Sequence, residues 1–191
     1  MALQQAAFNV QSRLDGKQKH FVEYFAYEIE RKFLVEFPDL EWLESLDACQ
    51  RVEISQHYLR SDPDEEIRIR RRGSGEASMY YLTEKRLISG GHKTLRTQRR
   101  LTEGEYHMLL VQADPRRREI TKTRYCLTYA NQYFEVDVFP CWDDQAIVEI
   151  ELSSEDIPVT MPPELRIIRE ITGDPRYNNA AIAAQPKGAT H

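Results

Sequence analysis

The sequence repeatedly places charged side chains two residues apart, with an apolar residue beside them. In a β-strand, residues i and i+2 lie on one face, so each pair projects its charges to the same side of a sheet. Six segments show the pattern, one of them with a threonine in place of one charge: Glu28, Glu30 and Lys32; Arg68 and Arg70; Thr83 and Lys85; Lys122 and Arg124; Glu135 and Asp137; Glu149 and Glu151. Carboxylates bind hard divalent cations, and arginine forks bind phosphate. The chemistry indicated is therefore the binding of a polyanion together with a metal ion.

Two arrangements could explain these faces. They could form a solvated sheet surface laced with cross-strand ion pairs, each worth little. Alternatively, they could line the inside of a tunnel, with the apolar faces turned outward and covered by helices. Buried charges are costly unless they pair or bind a ligand. Because the two signs are largely separated by strand, we favour the tunnel, with one wall for a cation and one for an anion. A polyphosphate with Mg²⁺ or Mn²⁺ would match both walls.

The elements that must position these residues are mostly strands. Alternation and turn residues predict eight, at Tyr27–Val35, Arg51–Arg60, Ile67–Arg72, Met79–Arg86, Lys93–Leu101, Arg118–Thr128, Gln132–Phe139 and Ala146–Leu152. A short helix is predicted at Leu40–Leu46, and Thr102 with Glu105 forms a capping box for a helix that runs to about Gln112. Few helices between many strands favour an α+β fold built on a closed eight-stranded antiparallel barrel.

Length and composition bound the remaining possibilities. A chain of 191 residues suits one domain, which we place at residues 27–184, after an N-terminal extension (1–26) and before a disordered tail (185–191). The net charge of −5 gives no reason to expect nucleic-acid binding, and no apolar run is long enough to span a membrane. Cys49, Cys126 and Cys141 show no zinc or disulfide spacing, which predicts free thiols in the cytoplasm.

Several other features predict no additional site. The five histidines lack ligand spacing, and the sequence contains neither a Walker loop nor GxGxxG. The run Arg116-Arg117-Arg118 is interpreted as a solvated face rather than a partner patch. Two alternative roles are open for residues 1–26: they could cap one end of the tunnel, or they could mediate a homodimer.

The charged segments, taken in order, resemble a known family. Glu28-Ile29-Glu30-Arg31-Lys32 is similar to the ExExK signature of CYTH domains, the triphosphate tunnel metalloenzymes. The family's later motifs follow in sequence: Arg68 with Arg70, a lysine strand ending at Lys85, Lys122-Thr123-Arg124-Tyr125, Glu135-Val136-Asp137, Glu149-Ile150-Glu151, and the segment 173–178. The resemblance covers residues 27–184. One strand departs from it, because Gln98 and Arg100 stand where the family often has acids after an arginine, here matched by Arg96.

The resemblance implies roles for individual residues. Metal ligands would be Glu28, Glu30, Glu149 and Glu151, with Glu135 and Asp137 assisting or holding a second ion. Phosphates would be bound by Lys32, Arg68, Arg70, Lys85, Arg96, Lys122 and Arg124. Lys32 would also act as the general base, paired with Tyr58. A lysine is a poor base at its ordinary pKa of about 10.4, so its neighbours would have to lower that pKa.

The resemblance also implies an activity, with alternatives that the sequence separates poorly. The first expectation is an enzyme that hydrolyses inorganic tripolyphosphate to pyrophosphate and phosphate with Mg²⁺ or Mn²⁺. The second is an adenylate cyclase that converts ATP to cyclic AMP and pyrophosphate. Hydrolysis of thiamine triphosphate or nucleoside triphosphates and non-catalytic polyphosphate binding are the others. All would use the same charged interior and differ in the tunnel mouth.

Overall fold

A computed structural model describes residues 23–24, 29–62, 64–88, 93–154 and 156–184. It contains ten strands: β1 Glu23–Tyr24, β2 Ile29–Glu36, β3 Gln50–Tyr58, β4 Glu65–Arg72, β5 Met79–Ile88, β6 Lys93–Leu101, β7 Ile120–Tyr129, β8 Gln132–Val138, β9 Gln145–Leu152 and β10 Ile167–Glu170. The helices are α1 Leu40–Ser45, α2 Glu103–Leu110 and α3 Asn179–Ala184, with single 3₁₀ turns at Gly75–Ala77 and Pro175–Tyr177. The predicted extension, apart from β1, and the predicted tail lie outside the described residues. In the part of the chain that is described, no helix is long and apolar enough to cross a membrane.

All strands join one antiparallel sheet in the order β1-β6-β5-β4-β3-β7-β8-β9-β2-β10. The predicted closed eight-stranded barrel is therefore wrong in two respects: the sheet has ten strands, and the described strands do not close it. The reason lies at the edges. β1 pairs with the outer edge of β6, where Glu23 faces Gln98, and β10 pairs with the outer edge of β2, where Ile167 faces Val35. β1 and β10 thus occupy the backbone N–H and C=O groups through which β2 and β6 would have to pair with each other to close the barrel.

The open sheet nevertheless curls around an interior. Lys32 on β2 and Lys85 on β5 are separated by five intervening strands in the sheet order. Both side chains line a single cavity of about 250 Å³. Each of the eight strands from β2 to β9 in chain order contributes at least one side chain to its lining. A flat sheet could not bring β2 and β5 to one cavity, so twist and curl form the tunnel that the charge pattern predicted.

The apolar faces point away from the cavity and form the core. Val136, Val148 and Ile150 are fully buried, and they pack with Leu43 of α1 in one cluster. A second cluster lies beneath α2, whose Tyr106 packs with Ile69, Leu82 and Leu101. These clusters agree with the arrangement predicted from alternation, in which the charged faces point inward and the apolar faces point outward.

A third cluster lies at one end of the cavity. Leu34 follows Lys32 by two residues, and Ile147 precedes Glu149 by two residues. Leu34 and Ile147 therefore lie on the charged faces of β2 and β9. Both pack with Ile182 of α3 in this apolar cluster. The inward faces thus change from charged to apolar along the strands, and α3 packs where the charge ends.

Candidate active site

Asp137, a predicted metal ligand, does not itself line the cavity, but it contacts two residues that do, Lys122 and Arg124. Its side chain is 1 % exposed, and it accepts hydrogen bonds from Arg124 Nε at 2.6 Å and Arg124 Nη2 at 2.7 Å. Lys122 Nζ also donates to Asp137. These contacts follow from register, because Arg124 on β7 lies opposite Asp137 on β8. The predicted phosphate ligands Lys122 and Arg124 are therefore paired with a predicted metal ligand.

Arg124 links this pair to two further carboxylates. Its Nη2 donates to Glu149 Oε2 at 2.7 Å, and its Nη1 contacts Glu135. Burial opposes the charge of Arg124, but Asp137, Glu149 and Glu135 outweigh it and raise its pKa well above the ordinary value. Burial lowers the pKa of Lys122, although Asp137 counteracts it. Arg124 is the charge that holds three acidic groups together.

Lys32 extends the network to β2. Its Nζ donates to Glu149 Oε1 at 2.8 Å and lies 3.4 Å from Glu30 Oε1. Burial lowers the pKa of Lys32, yet Glu149 and Glu30 together raise it above the ordinary value. Burial would raise the pKa of Glu149, but Lys122, Arg124 and Lys32 outweigh it and hold this pKa well below its usual range. In this arrangement Lys32 is a cation at neutral pH.

The opposite wall carries a surplus of positive charge. It is formed by Arg68 and Arg70 of β4, Lys85 of β5 and Arg96 of β6, all of which line the cavity. Burial and the neighbouring arginines, Arg68 first, lower the pKa of Arg70 to about 10. The Nε atoms of Arg68 and Arg70 are buried and have no hydrogen-bond partner among the described residues. Burial and nearby cations also lower the pKa of Lys85. Unsatisfied buried donors of this kind favour an anionic ligand.

Tyr58 lies at the end of β3 and also lines the cavity. Burial raises its pKa to about 12, with Arg68 acting in the opposite direction. Tyr58 is thus a neutral hydroxyl at physiological pH. The predicted pairing of Tyr58 with Lys32 is not among the contacts found between the described residues, although both side chains line the cavity.

β6, the strand that departs from the family pattern, contributes to the cationic wall through Arg96. Arg96 lies opposite Lys85, and Gln98 lies opposite Thr83. Gln98 Oε1 accepts from Arg70 Nη2 at 3.4 Å and from Thr83 Oγ1 at 3.2 Å. A glutamine here keeps the wall cationic, because it hydrogen-bonds to Arg70 without neutralising it. Arg100 is exposed.

Sequence reasoning missed several lining residues: Glu66, Tyr133, Asn178, Asn179 and Ala180. Two carried a readable signal. Glu66 precedes Arg68 by two residues, and Tyr133 precedes Glu135 by two, so each belongs to a charged face already identified. The other three come from the turn before α3 and its first residues, which local sequence patterns could not assign to the cavity.

Carboxylates that could hold a metal ion lie along β2 and β9. Glu30 and Glu151 are directly opposite each other in the strand register, and both line the cavity with Glu149. Like charges in this position destabilise a sheet unless a cation lies nearby. The oxygen donors fit Mg²⁺ or Mn²⁺. Glu28, the fourth predicted ligand, lies outside the described residues, and no metal-ligating cluster of three or more His, Cys, Asp or Glu is found among the rest.

A curled antiparallel sheet with an acidic wall facing buried arginines defines a polyanion-binding tunnel. Comparison with known proteins agrees, because residues 26–160 match the model of the CYTH domain family. The chain belongs to this family, as the resemblance predicted.

Individual relatives and solved structures are similar to this chain over most of its length. The chain is 35 % identical over 160 residues to an inorganic triphosphatase of Nitrosomonas europaea. The aligned region covers 82 % of this chain and 96 % of the relative. The fold is similar to the crystal structure of the inorganic triphosphatase NE1496, with a TM-score of 0.54, 30 % identity, and coverage of 86 % of this chain and 99 % of the other. A structure described as the hypothetical protein NE1496 gives a TM-score of 0.53 at 32 % identity, with 83 % and 99 % coverage.

Proposed function

We propose that this chain is a divalent-metal-dependent enzyme that hydrolyses inorganic tripolyphosphate to pyrophosphate and phosphate. The observation that carries the proposal is the set of cations Arg68, Arg70, Lys85 and Arg96, which line the cavity and include two buried guanidinium Nε atoms, of Arg68 and Arg70, without a hydrogen-bond partner among the described residues. A phosphate chain would satisfy these donors and neutralise the surplus charge that lowers the pKa of Arg70. The relative named an inorganic triphosphatase supports this choice of substrate.

In the proposed reaction, water attacks the terminal phosphorus and the bond to the bridging oxygen breaks, so that pyrophosphate leaves. Arg68, Arg70 and Lys85 hold the phosphate oxygens and offset the charge that develops on them, while Arg96 extends this wall. Tyr58, with its pKa raised to about 12, acts as a neutral hydrogen-bond donor to a phosphate oxygen. A closely held chain is thereby oriented for in-line attack.

The carboxylates have the complementary role. We propose that Glu30, Glu149 and Glu151, together with Glu28, hold Mg²⁺ or Mn²⁺, and that Glu135 and Asp137 position Arg124. A bound divalent ion would supply Lewis-acid stabilisation of the phosphate charge. The general-base role of Lys32 stays a prediction. It requires Glu149 and Glu30 to be engaged elsewhere, because in the described arrangement they raise the pKa of Lys32.

The test is to incubate the purified protein with tripolyphosphate, ATP or thiamine triphosphate, each with Mg²⁺ or Mn²⁺, and to quantify phosphate, pyrophosphate and cyclic AMP. We expect phosphate and pyrophosphate from tripolyphosphate in equal amounts. Cyclic AMP from ATP would favour the cyclase instead, and faster turnover of thiamine triphosphate would reassign the substrate. Binding without any product would leave only a polyphosphate-binding module.

Two variants and one matched control sharpen the test. Arg70→Met should raise KM, because it removes a buried phosphate ligand. The fold of this variant should be little affected, since relief of the repulsion from Arg68 offsets the loss of the long hydrogen bond to Gln98. Glu30→Gln should lower activity by removing a metal ligand. Glu36→Gln on the same strand is the control, since Glu36 is exposed and lies 3.5 Å from Arg166. Equal activity in Glu30→Gln and Glu36→Gln would count against the metal assignment.

We also propose that the chain works in the reducing cytoplasm, which is supported by the free thiols of Cys49, Cys126 and Cys141. Homodimerisation and the absence of nucleic-acid binding stay predictions.

A further inference from the structure

The run Arg116-Arg117-Arg118 does not form the uniform solvated face that the sequence suggested. Arg116 is the exposed member, at 81 %, and its guanidinium donates twice to Asp114 at 3.0 Å. Arg118 is partly buried, and its Nε donates to the carbonyl oxygen of Ile182 at 3.0 Å. Arg117 lies over the ring of Tyr58, with 4.8 Å between the guanidinium carbon and the ring centroid. Three successive arginines therefore have three different partners.

We infer that Arg117 is a positioning residue, which fixes the ring of Tyr58 so that its hydroxyl meets the phosphate chain. The inference rests on the proposed function, in which Tyr58 donates to a phosphate oxygen. Arg117 itself is not among the residues that line the cavity. Its contact with the cavity is through the Tyr58 ring, and its effect on the reaction must pass through that ring.

The backbone holds both partners in one unit. Asp114 N donates to the carbonyl oxygen of Tyr58 at 2.8 Å, and Arg117 N donates to the carbonyl oxygen of Asp114 at 3.0 Å. The turn that carries Arg117 is thus tied to the end of β3, the strand that carries Tyr58. The turn thus holds the backbone of Arg117 beside the end of β3, from where its guanidinium reaches over the ring.

The surroundings make the stacking effective. Tyr58 is 2 % exposed, and a cation over a desolvated aromatic ring is attracted more strongly than one over an exposed ring. The charged groups that face Tyr58 are Arg68 and Glu66 from β4 and Arg117 from the turn. Arg68 and Glu66 line the cavity and belong to the ligand-binding wall, whereas Arg117 approaches from behind it. Displacement of a catalytic hydroxyl by about 1 Å can cost up to a hundredfold in rate.

The experiment compares Arg117→Met with Arg116→Met in tripolyphosphate hydrolysis. The neighbouring arginine is the control, because its loss removes the same charge and its contacts with Asp114 but no group that lies over the Tyr58 ring. We expect Arg117→Met to lower kcat by roughly thirtyfold, the equivalent of a desolvated cation–π contact, with KM nearly unchanged. Arg117→Lys, which keeps the cation, should recover part of the loss. Equal kcat in the Arg117→Met and Arg116→Met variants would overturn the inference.

A double-mutant cycle with Tyr58→Phe separates positioning from a general effect on the fold. Phenylalanine keeps the ring and removes the hydroxyl, so no group is left for Arg117 to place. The double variant should therefore have the kcat of Tyr58→Phe alone. Losses that multiply would mean that Arg117 acts independently of Tyr58, and the inference would be wrong.

A readout without catalysis distinguishes failure of this inference from failure of the proposed function. The protein is labelled with 3-fluorotyrosine, and the Tyr58 signal is assigned in ¹⁹F spectra by its loss in Tyr58→Phe. We expect Arg117→Met, but not Arg116→Met, to shift this signal and to abolish its response to metal-free tripolyphosphate. If the parent protein hydrolysed nothing, this result would still support the placement of the ring. An unchanged signal in Arg117→Met would refute it.

Discussion

At the scale of single residues, the charges of the cavity divide into those that are paired and those that await a ligand. Asp137 accepts three hydrogen bonds from Lys122 and Arg124, two residues of the cavity wall, so its charge is fully engaged within the fold. Arg68 and Arg70 are different, since each keeps a buried Nε without a hydrogen-bond partner among the described residues. The first group determines the shape of the site, and the second gives it affinity for an anion.

Replacing Asp137 with Asn should be strongly destabilising. The substitution leaves Lys122 and Arg124 buried with one charge fewer between them, and breaking a buried pair in this way costs about 3–5 kcal/mol. Urea unfolding measures the loss. The control is Glu170→Gln, which breaks the exposed contact of Glu170 with Arg31 and should cost about 1 kcal/mol or less. Equal losses in the two variants would contradict the central role of Asp137.

At the scale of elements, helix α2, which begins with a capping box, packs against the strands that carry the cationic wall. Thr102 Oγ1 accepts from Glu105 N at 3.2 Å, and Glu105 Oε2 accepts from Thr102 N at 2.7 Å, the reciprocal capping box that the sequence predicted. Tyr106 of this helix packs on the outward faces of β4, β5 and β6. The inward faces of the same strands carry the phosphate-binding residues, so the helix supports that wall from outside.

Thr102→Ala should therefore cost about 1 kcal/mol of folding stability, because one backbone donor of α2 loses its acceptor. Chemical denaturation measures the change. Ser74→Ala is a suitable control, since Ser74 precedes the 3₁₀ turn Gly75–Ala77 but its side chain makes no capping hydrogen bond. We expect no more than a few tenths of that loss in the control. A comparable loss in both would show that the cap of α2 adds nothing specific.

At the scale of the whole molecule, carboxylates with lowered pKa values govern the response to acid. Hydrogen bonds from Arg116 hold the pKa of Asp114 at about 2, and hydrogen bonds from Arg31 and Thr172 hold that of Glu170 at about 2. Lys122, Arg124 and Lys32 lower the pKa of Glu149 despite burial. In the unfolded chain such groups titrate near 4. These ion pairs stabilise the fold above that pH, and the contribution is lost as the pH falls through the folded-state values.

The urea midpoint should accordingly fall most steeply between about pH 4 and pH 2, after a smaller decline between pH 7 and pH 5 that comes from His57, whose pKa is lowered by burial. A series of unfolding curves across this range measures it. Glu170→Gln and an Asp114→Asn variant should flatten the acid limb, because each removes one titrating group from the folded state. A main loss between pH 7 and pH 5 would contradict this assignment and would point to histidine.

The sequence by itself determined the eight strands β2–β9, their charged and apolar faces and the family, because alternation along a strand is a local property. It also led to Lys32, Arg70 and Glu149 as cavity residues. The tertiary structure decided what depends on neighbours distant in the chain. The edge strands β1 and β10 exist only through pairing with β6 and β2. The engagement of Asp137 by Arg124 depends on the register of β7 against β8, and the place of Arg117 over Tyr58 depends on a turn bonded to the end of β3. Hydrogen-bond partners and burial are set by which strands become adjacent, and no single strand contains that information.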